Sequence, residues 1–379
     1  MEGARVKFLH IADLHLGKRL NGVSFLEDQI FLLNQISALA AAERADAVVI
    51  AGDVYQKASP QSEAMAAFDA FVTRLAAAGI RVLVISGNHD SAQRISYFSA
   101  LVRNAGVYVS EEFTGTVQTV ALSDAFGDVR FGLLPFLKPI QARRFYPDEK
   151  IETYEDAVRA VLRHSPVDPA ARNVLVCHQF VTGAETCDSE ETAVGGLDCV
   201  DASAFDDYDY VALGHIHGPQ RLKRDTLRYA GSLMKYSFSE VNHRKSVTVV
   251  EMLEKGDVRL HTVPLTAPHD MRTVEGMLSD VMAMPYSEDY VWVTIHDELP
   301  PPDARVTIST VFPNMLKFSV VNSKTKMDID VLAREQMESK SVPELFSDFY
   351  RLQNNDVAPG ERHLEMLTAI LKELEGEVR

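Results

Sequence analysis

The sequence predicts a layered α/β protein with a smaller α+β appendage. Three observations carry this. Between residues 6 and 85, apolar runs of strand length alternate with amphipathic helical stretches. That is the pattern of a mainly parallel sheet with right-handed crossovers. From residue 105 to 263 short strands dominate, and a proline-rich connector, Pro264 to Asp270, then precedes a second change of pattern.

The elements follow in order. Residues 6–12 read as a buried strand, and 26–43 as a helix with Leu26, Ile30, Leu33, Ile36 and Leu39 at helical spacing. Residues 47–51 form a second strand, 62–78 a second helix bearing Met65, Phe68, Phe71, Val72 and Leu75, and 81–85 a third strand. Strands are then expected at 116–121, 129–134, 173–177, 209–213, 227–230, 246–252 and 257–263, with helices near 153–164 and 200–205. They either extend the first sheet or build a second one against it. Beyond the connector, 274–283 reads as helix, 289–296 as strand, 303–311 as helix and 315–321 as strand. Two helical stretches, 343–354 and 361–376, close the chain, the second with a narrow stripe of Leu364, Leu367, Ile370, Leu371 and Leu374. The expected domains are therefore 1–265, 270–340 and 343–379.

The 379 residues exceed one average domain, and 46% hydrophobic residues suffice for a substantial core. No apolar run reaches the roughly 18 residues of a membrane span. The opening residues lack the long apolar region of a signal peptide, so a cytoplasmic protein with no membrane partner is expected. Cys177, Cys187 and Cys199 are too few for a disulfide framework and lack zinc-site spacing. The formal charge of -16 argues against an unaided nucleic-acid binder, because phosphates attract Lys and Arg.

Five segments each place Asp, His or Asn just after an expected buried strand. They are Asp13-Leu14-His15, Gly52-Asp53, Gly87-Asn88-His89-Asp90, His178, and Gly214-His215-Ile216-His217. Open α/β sheets gather ligands at the carboxyl ends of their strands, so all five meet on one edge. Alone, Asp-x-His or Gly-Asp after a strand is an ordinary turn; the ordered conjunction is what points to a site. Carboxylate, imidazole and amide oxygen together suit Mn, Fe or Zn. The donors Asp13, His15, Asp53, Asn88, His178, His215 and His217 are enough for two ions sharing Asp53, whose two oxygens can each face one ion. Two ions roughly 3.5–4 Å apart clamp a phosphate and activate a water for in-line attack. His89 is left over; it can protonate the departing oxygen or stabilise charge on the phosphate.

Other candidates read more plainly. His10, inside the first strand, is expected as buried structure, and His164, His243, His261, His269, His296 and His363 as surface or packing residues. Trp292 reads as a packed strand residue. Lys18, Arg19, Lys57 and Arg94 follow site segments and are either phosphate contacts or ordinary solvated charges.

In this order the five segments resemble the calcineurin-like metallophosphoesterase superfamily. Ala51-Gly52-Asp53-Val54-Tyr55, Ser86-Gly87-Asn88-His89-Asp90-Ser91, Tyr229-Ala230-Gly231-Ser232, Tyr236-Ser237-Phe238-Ser239-Glu240 and Val311-Phe312-Pro313-Asn314 are similar to its SbcD subfamily of DNA double-strand-break repair nucleases. The resemblance implies a β-sandwich flanked by helices, a capping domain and C-terminal helices. It implies two Mn2+ ions, one held by Asp13, His15, Asp53 and His217 and the other by Asp53, Asn88, His178 and His215, with catalytic His89. It further implies an ATP-dependent double-strand exonuclease (3'-5') and a single-strand or hairpin endonuclease acting in DNA repair, recombination and replication. The expected partners are DNA and an SMC-like ATPase, SbcC, bound by a homodimer within a heterotetramer; the stripe on 361–376 is a docking face or a helix packed on its own domain. An ATPase clamp also answers the charge objection. One position departs: certain members carry His three residues after the bridging Asp, where this chain has Gln56. Two other readings remain: a phosphoesterase acting on a small nucleotide or phosphomonoester, which would not need the tail beyond Pro264, and a scaffold, which would not need all seven donors.

Overall fold

The computed structural model describes residues 5–190, 199–322, 342–353, 357–360 and 362–367. They form two compact units, divided between Met271 and Arg272.

In the first unit the later strands do both: six between Gln118 and Tyr229 build a second sheet, while the last two extend the first. One six-stranded sheet runs in the order Val258–Pro264, Ser246–Met252, Val6–Ile11, Ala47–Ala51, Arg81–Ile85, Val107–Val109. Its last four strands are parallel, and Ser246–Met252 joins Val6–Ile11 antiparallel. The other six-stranded sheet runs Gln220–Leu222, Arg224–Tyr229, Tyr210–Gly214, Arg172–His178, Gly127–Leu134, Gln118–Asp124. Alternate residues of the two sheets close one shared core: Phe8, Val49 and Leu83 from the first meet Phe131, Val174 and Tyr210 from the second. Phe8 lies edge-on to Phe131 at 5.2 Å and to Tyr210 at 5.6 Å, the arrangement that aligns a ring edge with a π face. His10 points into this core, where its Nδ1 shares a 2.9 Å hydrogen bond with the Tyr210 hydroxyl and its Nε2 a 3.2 Å bond with the Leu213 carbonyl. It is the buried structural histidine expected of its place in the strand.

Helices cover the outer faces. Leu26–Ala42 buries Leu32, Leu33, Ile36 and Ala40, while Ile30 is exposed. The expected face is thus rotated, because Gln29 points inward to donate to the Leu14 and His15 carbonyls at 3.0 and 2.9 Å. Ser62–Ala77 buries Phe71 and Leu75 but leaves Met65 exposed. Over the second sheet lies Tyr154–Arg163, opened by a capping box in which Asp156 N donates to Thr153 Oγ1 and Thr153 N to the Asp156 carboxylate.

The second unit holds a three-stranded sheet with Tyr290–Ile295 between Met271–Gly276 and Met315–Val320. Val274, Val281, Val291, Val293, Ile295, Ala304, Ile308 and Phe312 form its core. The expected helix 274–283 is a correction: the chain stays extended to Gly276 and only Leu278–Met282 is helical. Val274, Leu278 and Val281 have helical spacing, but pairing along Tyr290–Ile295 claims the first part, a non-local gain invisible in a short window. Trp292 is a half-buried strand residue whose Nε1 donates to Ser319 Oγ at 2.9 Å, with Lys317 Nζ 3.6 Å from its ring centre. Val342–Gln353 and 362–367 are helical; the rest of the expected 361–376 helix lies outside the described residues.

Candidate metal centre

The parallel strands of both sheets end at one edge, and every candidate side chain hangs from that edge. Asp13 follows Val6–Ile11, Asp53 follows Ala47–Ala51, and Asn88 follows Arg81–Ile85. From the facing sheet come His178, the last residue of Arg172–His178, and Gly214, its register partner. Two bonds stitch the sheets together there: His178 Nδ1 donates to the Ala51 carbonyl at 2.8 Å, and His215 N donates to Asp13 Oδ1 at 3.0 Å.

The loops approach so closely that side chains are excluded at Gly52, Gly87 and Gly214. A Cβ on Gly87 would overlap the Asp53 carboxylate, and one on Gly214 would overlap the Ala51 carbonyl oxygen. Asp13, His15, Asp53 and His215 all adopt positive φ, at 52°, 43°, 49° and 104°. Non-glycine residues avoid that region at a cost of about 1–3 kcal/mol each, and such strain concentrates at functional sites. Asp90 braces the strained turns: its carboxylate accepts from Gly87 N at 2.9 Å and from Val54 N and Tyr55 N at 3.0 Å.

The donors fall into two groups about Asp53. On one side His15 Nε2 and His217 Nε2 face each other at 3.1 Å, with Asp53 Oδ2 3.6 Å from His15 Nε2. Ligand atoms of Asp13, His15 and His217 all lie within 4.8 Å of one another, as do those of Asp13, Asp53 and His178. On the other side Asn88 Oδ1 meets His178 Nε2 at 3.0 Å and His215 Nδ1 at 3.1 Å, and His178 Nε2 lies 3.4 Å from Asp53 Oδ2. His89 sits at the rim, half-buried, its N donating to Asp53 Oδ1 at 2.9 Å and its ring centre 4.8 Å from that of His15.

The electrostatics fit cations. Burial works against an ionised Asp53, but His178, His15 and His89 outweigh it and hold its carboxyl below the usual range. Burial and then the neighbouring Asp53 charge push Asp13 well up, despite His178. Burial disfavours a charged His178, yet Asp53 lifts it to about 9. Burial, followed by the charge of His178, drives His215 down to about 3, and burial likewise lowers His15 and His217. His15, His215 and His217 thus offer the unprotonated imidazoles that a metal needs, whereas His178 holds a proton that an ion would displace, and a buried Asp13 carboxylate needs a positive charge nearby. Donor set, burial and charge deficit therefore match divalent metal ions.

The calcineurin-like phosphoesterase profile matches residues 6–219, the span that supplies every one of these donors. The chain belongs to that family. A second profile, the SbcD-type "type 5 capsule protein repressor C-terminal domain", matches residues 267–354. Among curated proteins, the chain is 32% identical over 324 residues to the SbcD component of the SbcCD nuclease of Staphylococcus epidermidis, covering 83% of this chain and 86% of that one. It is 27% identical over 378 residues to the protein of the same name from Staphylococcus saprophyticus, covering 97% and 99%. These matches put it in the SbcD branch of the family. A dimetal phosphatase from Danio rerio overlaps with a TM-score of 0.38 at 14% identity, covering 69% of this chain and 99% of that one.

Of the basic candidates, Arg19 donates to the Gly22 carbonyl at 2.5 Å and Arg94 to the Ala58 carbonyl at 2.8 Å, while Lys18 Nζ lies 5.5 Å from the Tyr236 ring centre. None of these three is among the clustered donors. Sequence reasoning gave no role to the residues behind the donors: Gln29, Asp90, Ser189, Glu190, Glu240 and Lys245. Glu240 stands in a segment already similar to SbcD proteins, but nothing local marks it as buried beneath a histidine. No helix among the described residues is long and apolar enough to cross a membrane.

Proposed function

We propose that this chain is a two-metal DNA nuclease, the hydrolytic subunit of a complex with an SbcC-like SMC-type ATPase. One ion is assigned to Asp13, His15, Asp53 and His217, and the other to Asp53, Asn88, His178 and His215, with Mn2+ the resident metal. The observation that carries the reading is the convergence of ligand atoms from buried Asp13, His15, Asp53, His178 and His217, with Asn88 and His89 half-buried beside them.

Such a pair of cations neutralises phosphate oxygens and acidifies a water. The chain's own groups do the rest. Asp53, anchored by His89 N, fixes the spacing of the two donor groups. Asn88 Oδ1, 3.0 Å from His178 Nε2 and 3.1 Å from His215 Nδ1, would face the same cation as those two nitrogens. His89 Nδ1 shares a 3.3 Å hydrogen bond with the Gln56 carbonyl, which fixes the ring's orientation and makes Nε2 the nitrogen that would pass a proton to the leaving oxygen. Gln56 thus contributes through its backbone.

The substrate reading is duplex DNA cut from a 3' end and single-stranded or hairpin DNA cut internally, in repair, recombination and replication. The curated relatives that carry the nuclease name match over 83% and 97% of this chain, the second reaching into the tail that a small-molecule phosphatase would not need. In domain terms 1–265 is the nuclease, 270–340 the cap and 343–379 the ATPase-binding region. The protein acts in the cytoplasm as a homodimer within a heterotetramer, where the ATPase supplies the grip on DNA that a net charge of -16 does not. The deciding assay measures hairpin and duplex cleavage across divalent metals, with and without the ATPase and ATP. Mn-dependent cleavage is expected. Turnover of a small phosphate ester with no DNA cutting under any of these conditions would transfer the reading to a nucleotide or phosphomonoester substrate.

A further inference from the structure

Behind His217 lies a buried polar chain that, among the described residues, touches no candidate ligand except His217. Lys245, 7% exposed, uses its Nζ hydrogens on Glu240 Oε2 at 2.5 Å, the His217 carbonyl at 2.8 Å and Ser232 Oγ at 2.8 Å. Glu240 is fully buried; its Oε1 accepts from Tyr236 N at 3.0 Å, Ser237 Oγ at 3.1 Å and Ser189 Oγ at 2.5 Å. A carboxylate beside an ammonium, ringed by donors, is acceptor-only. The single hydroxyl hydrogen of Ser189 is therefore committed to Glu240. Ser189 Oγ also lies 2.6 Å from His217 Nδ1, and with its hydrogen spent it can only accept there. His217 must carry its proton on Nδ1, which leaves a lone pair on Nε2, the nitrogen that faces His15 and the candidate ion.

His15 provides the contrast. Its Nδ1 is buried and has no hydrogen-bond partner among the described residues, so nothing comparable sets its tautomer. Backbone bracing adds to the difference, since His217 N donates to Glu190 Oε1 at 2.5 Å while Lys245 holds the carbonyl of the same residue.

Resting on the two-metal reading, we propose that Ser189, Glu240 and Lys245 are positioning residues that lock the His217 tautomer, so that Nε2 is presented for metal binding before any ion arrives. Partners on the far nitrogen of a ligating histidine tune affinity by about 10–100-fold. Ser189 is the cleanest handle, because its loss removes one hydroxyl and leaves the Glu240–Lys245 pair in place.

The test uses full-length, metal-free protein with 15N-labelled histidine. Long-range 1H–15N spectra, with His217→Gln for assignment, read which nitrogen is protonated, and calorimetric titration with Mn2+ reads the two affinities. Wild type should show His217 as the Nδ1–H tautomer and bind two ions. Ser189→Ala should give mixed tautomers and weaken one of the two ions by about 10–100-fold with the other unchanged, and Ser189→Thr should restore both. Glu240→Gln should repeat the alanine result; if it fails to fold, Ser189→Ala decides alone. An Nε2–H His217 in wild type, or unchanged tautomer and affinities in Ser189→Ala, overturns the relay. Binding of fewer than two ions by wild type instead overturns the two-metal reading, and the tautomer spectra still decide the relay.

Discussion

Gly214→Ala tests the idea that close approach of the two sheets builds the site. The added Cβ would overlap the Ala51 carbonyl oxygen and stand 2.8 Å from His178 Nδ1. The carbonyl belongs to a central strand and cannot swing aside. Carbon needs about 3.5 Å from its neighbours, so the two strand ends must part by on the order of 1 Å. Overpacking of this kind costs about 1–3 kcal/mol. Weakening the buried 2.8 Å bond from His178 to Ala51 adds about 1 kcal/mol. His178 and His215, now 3.0 and 3.1 Å from Asn88 Oδ1, would be carried away from it. A misplacement near 1 Å costs about 100-fold in rate. Expected, then, are a loss of about 2–4 kcal/mol in urea denaturation and a drop of about 100-fold in phosphodiester hydrolysis at saturating Mn2+. Gly276→Ala is the control, since its Cβ would meet nothing nearer than 3.7 Å. Wild-type stability together with wild-type hydrolysis in Gly214→Ala would refute the argument that the sheets touch at that residue to form the site.

His89→Ala should abolish cleavage while calorimetry still finds two ions, because each ion keeps its four assigned donors although His89 lies within 4.8 Å of His15 and Asp53; loss of an ion would make it a ligand. The buried Arg172 guanidinium donates to Asp124 Oδ1 and Oδ2 at 2.6 and 2.9 Å, so Asp124→Asn should cost about 3 kcal/mol at pH 7 by leaving that charge uncompensated. Burial opposes the Asp124 charge, but Arg172 and the Phe126 and Val6 amides hold its carboxyl below the ordinary 3.8. A depressed folded value means stability present above pH 3.8 and lost as pH falls through the folded value, so the gap between wild type and variant should close below pH 3.8; denaturation curves that stay parallel across that range would contradict it. Deleting 343–379 should abolish capture of the SbcC-like ATPase while leaving two-ion binding intact; an unchanged pull-down would remove the docking assignment.

The sequence by itself determined the candidate donors' places at the ends of the strands that carry them. Apolar runs such as Ala47–Ala51 ending in Gly-Asp, and Arg81–Ile85 leading to Gly87-Asn88-His89-Asp90, are local patterns in which strand length and residue chemistry coincide. Tertiary structure decided what depends on contacts between distant segments. Whether residues 116–230 extended the first sheet or faced it was open, because either arrangement buries the same apolar strands; the shared core of Phe8, Phe131 and Tyr210 settles it. The inward face of Leu26–Ala42 turned on the need of the Leu14 and His15 carbonyls for Gln29, and residues 271–276 became strand because a neighbouring edge was there to pair with. Ser189, Glu240 and Lys245 carry no local signature, since a buried charge becomes meaningful only once its partners fold around it.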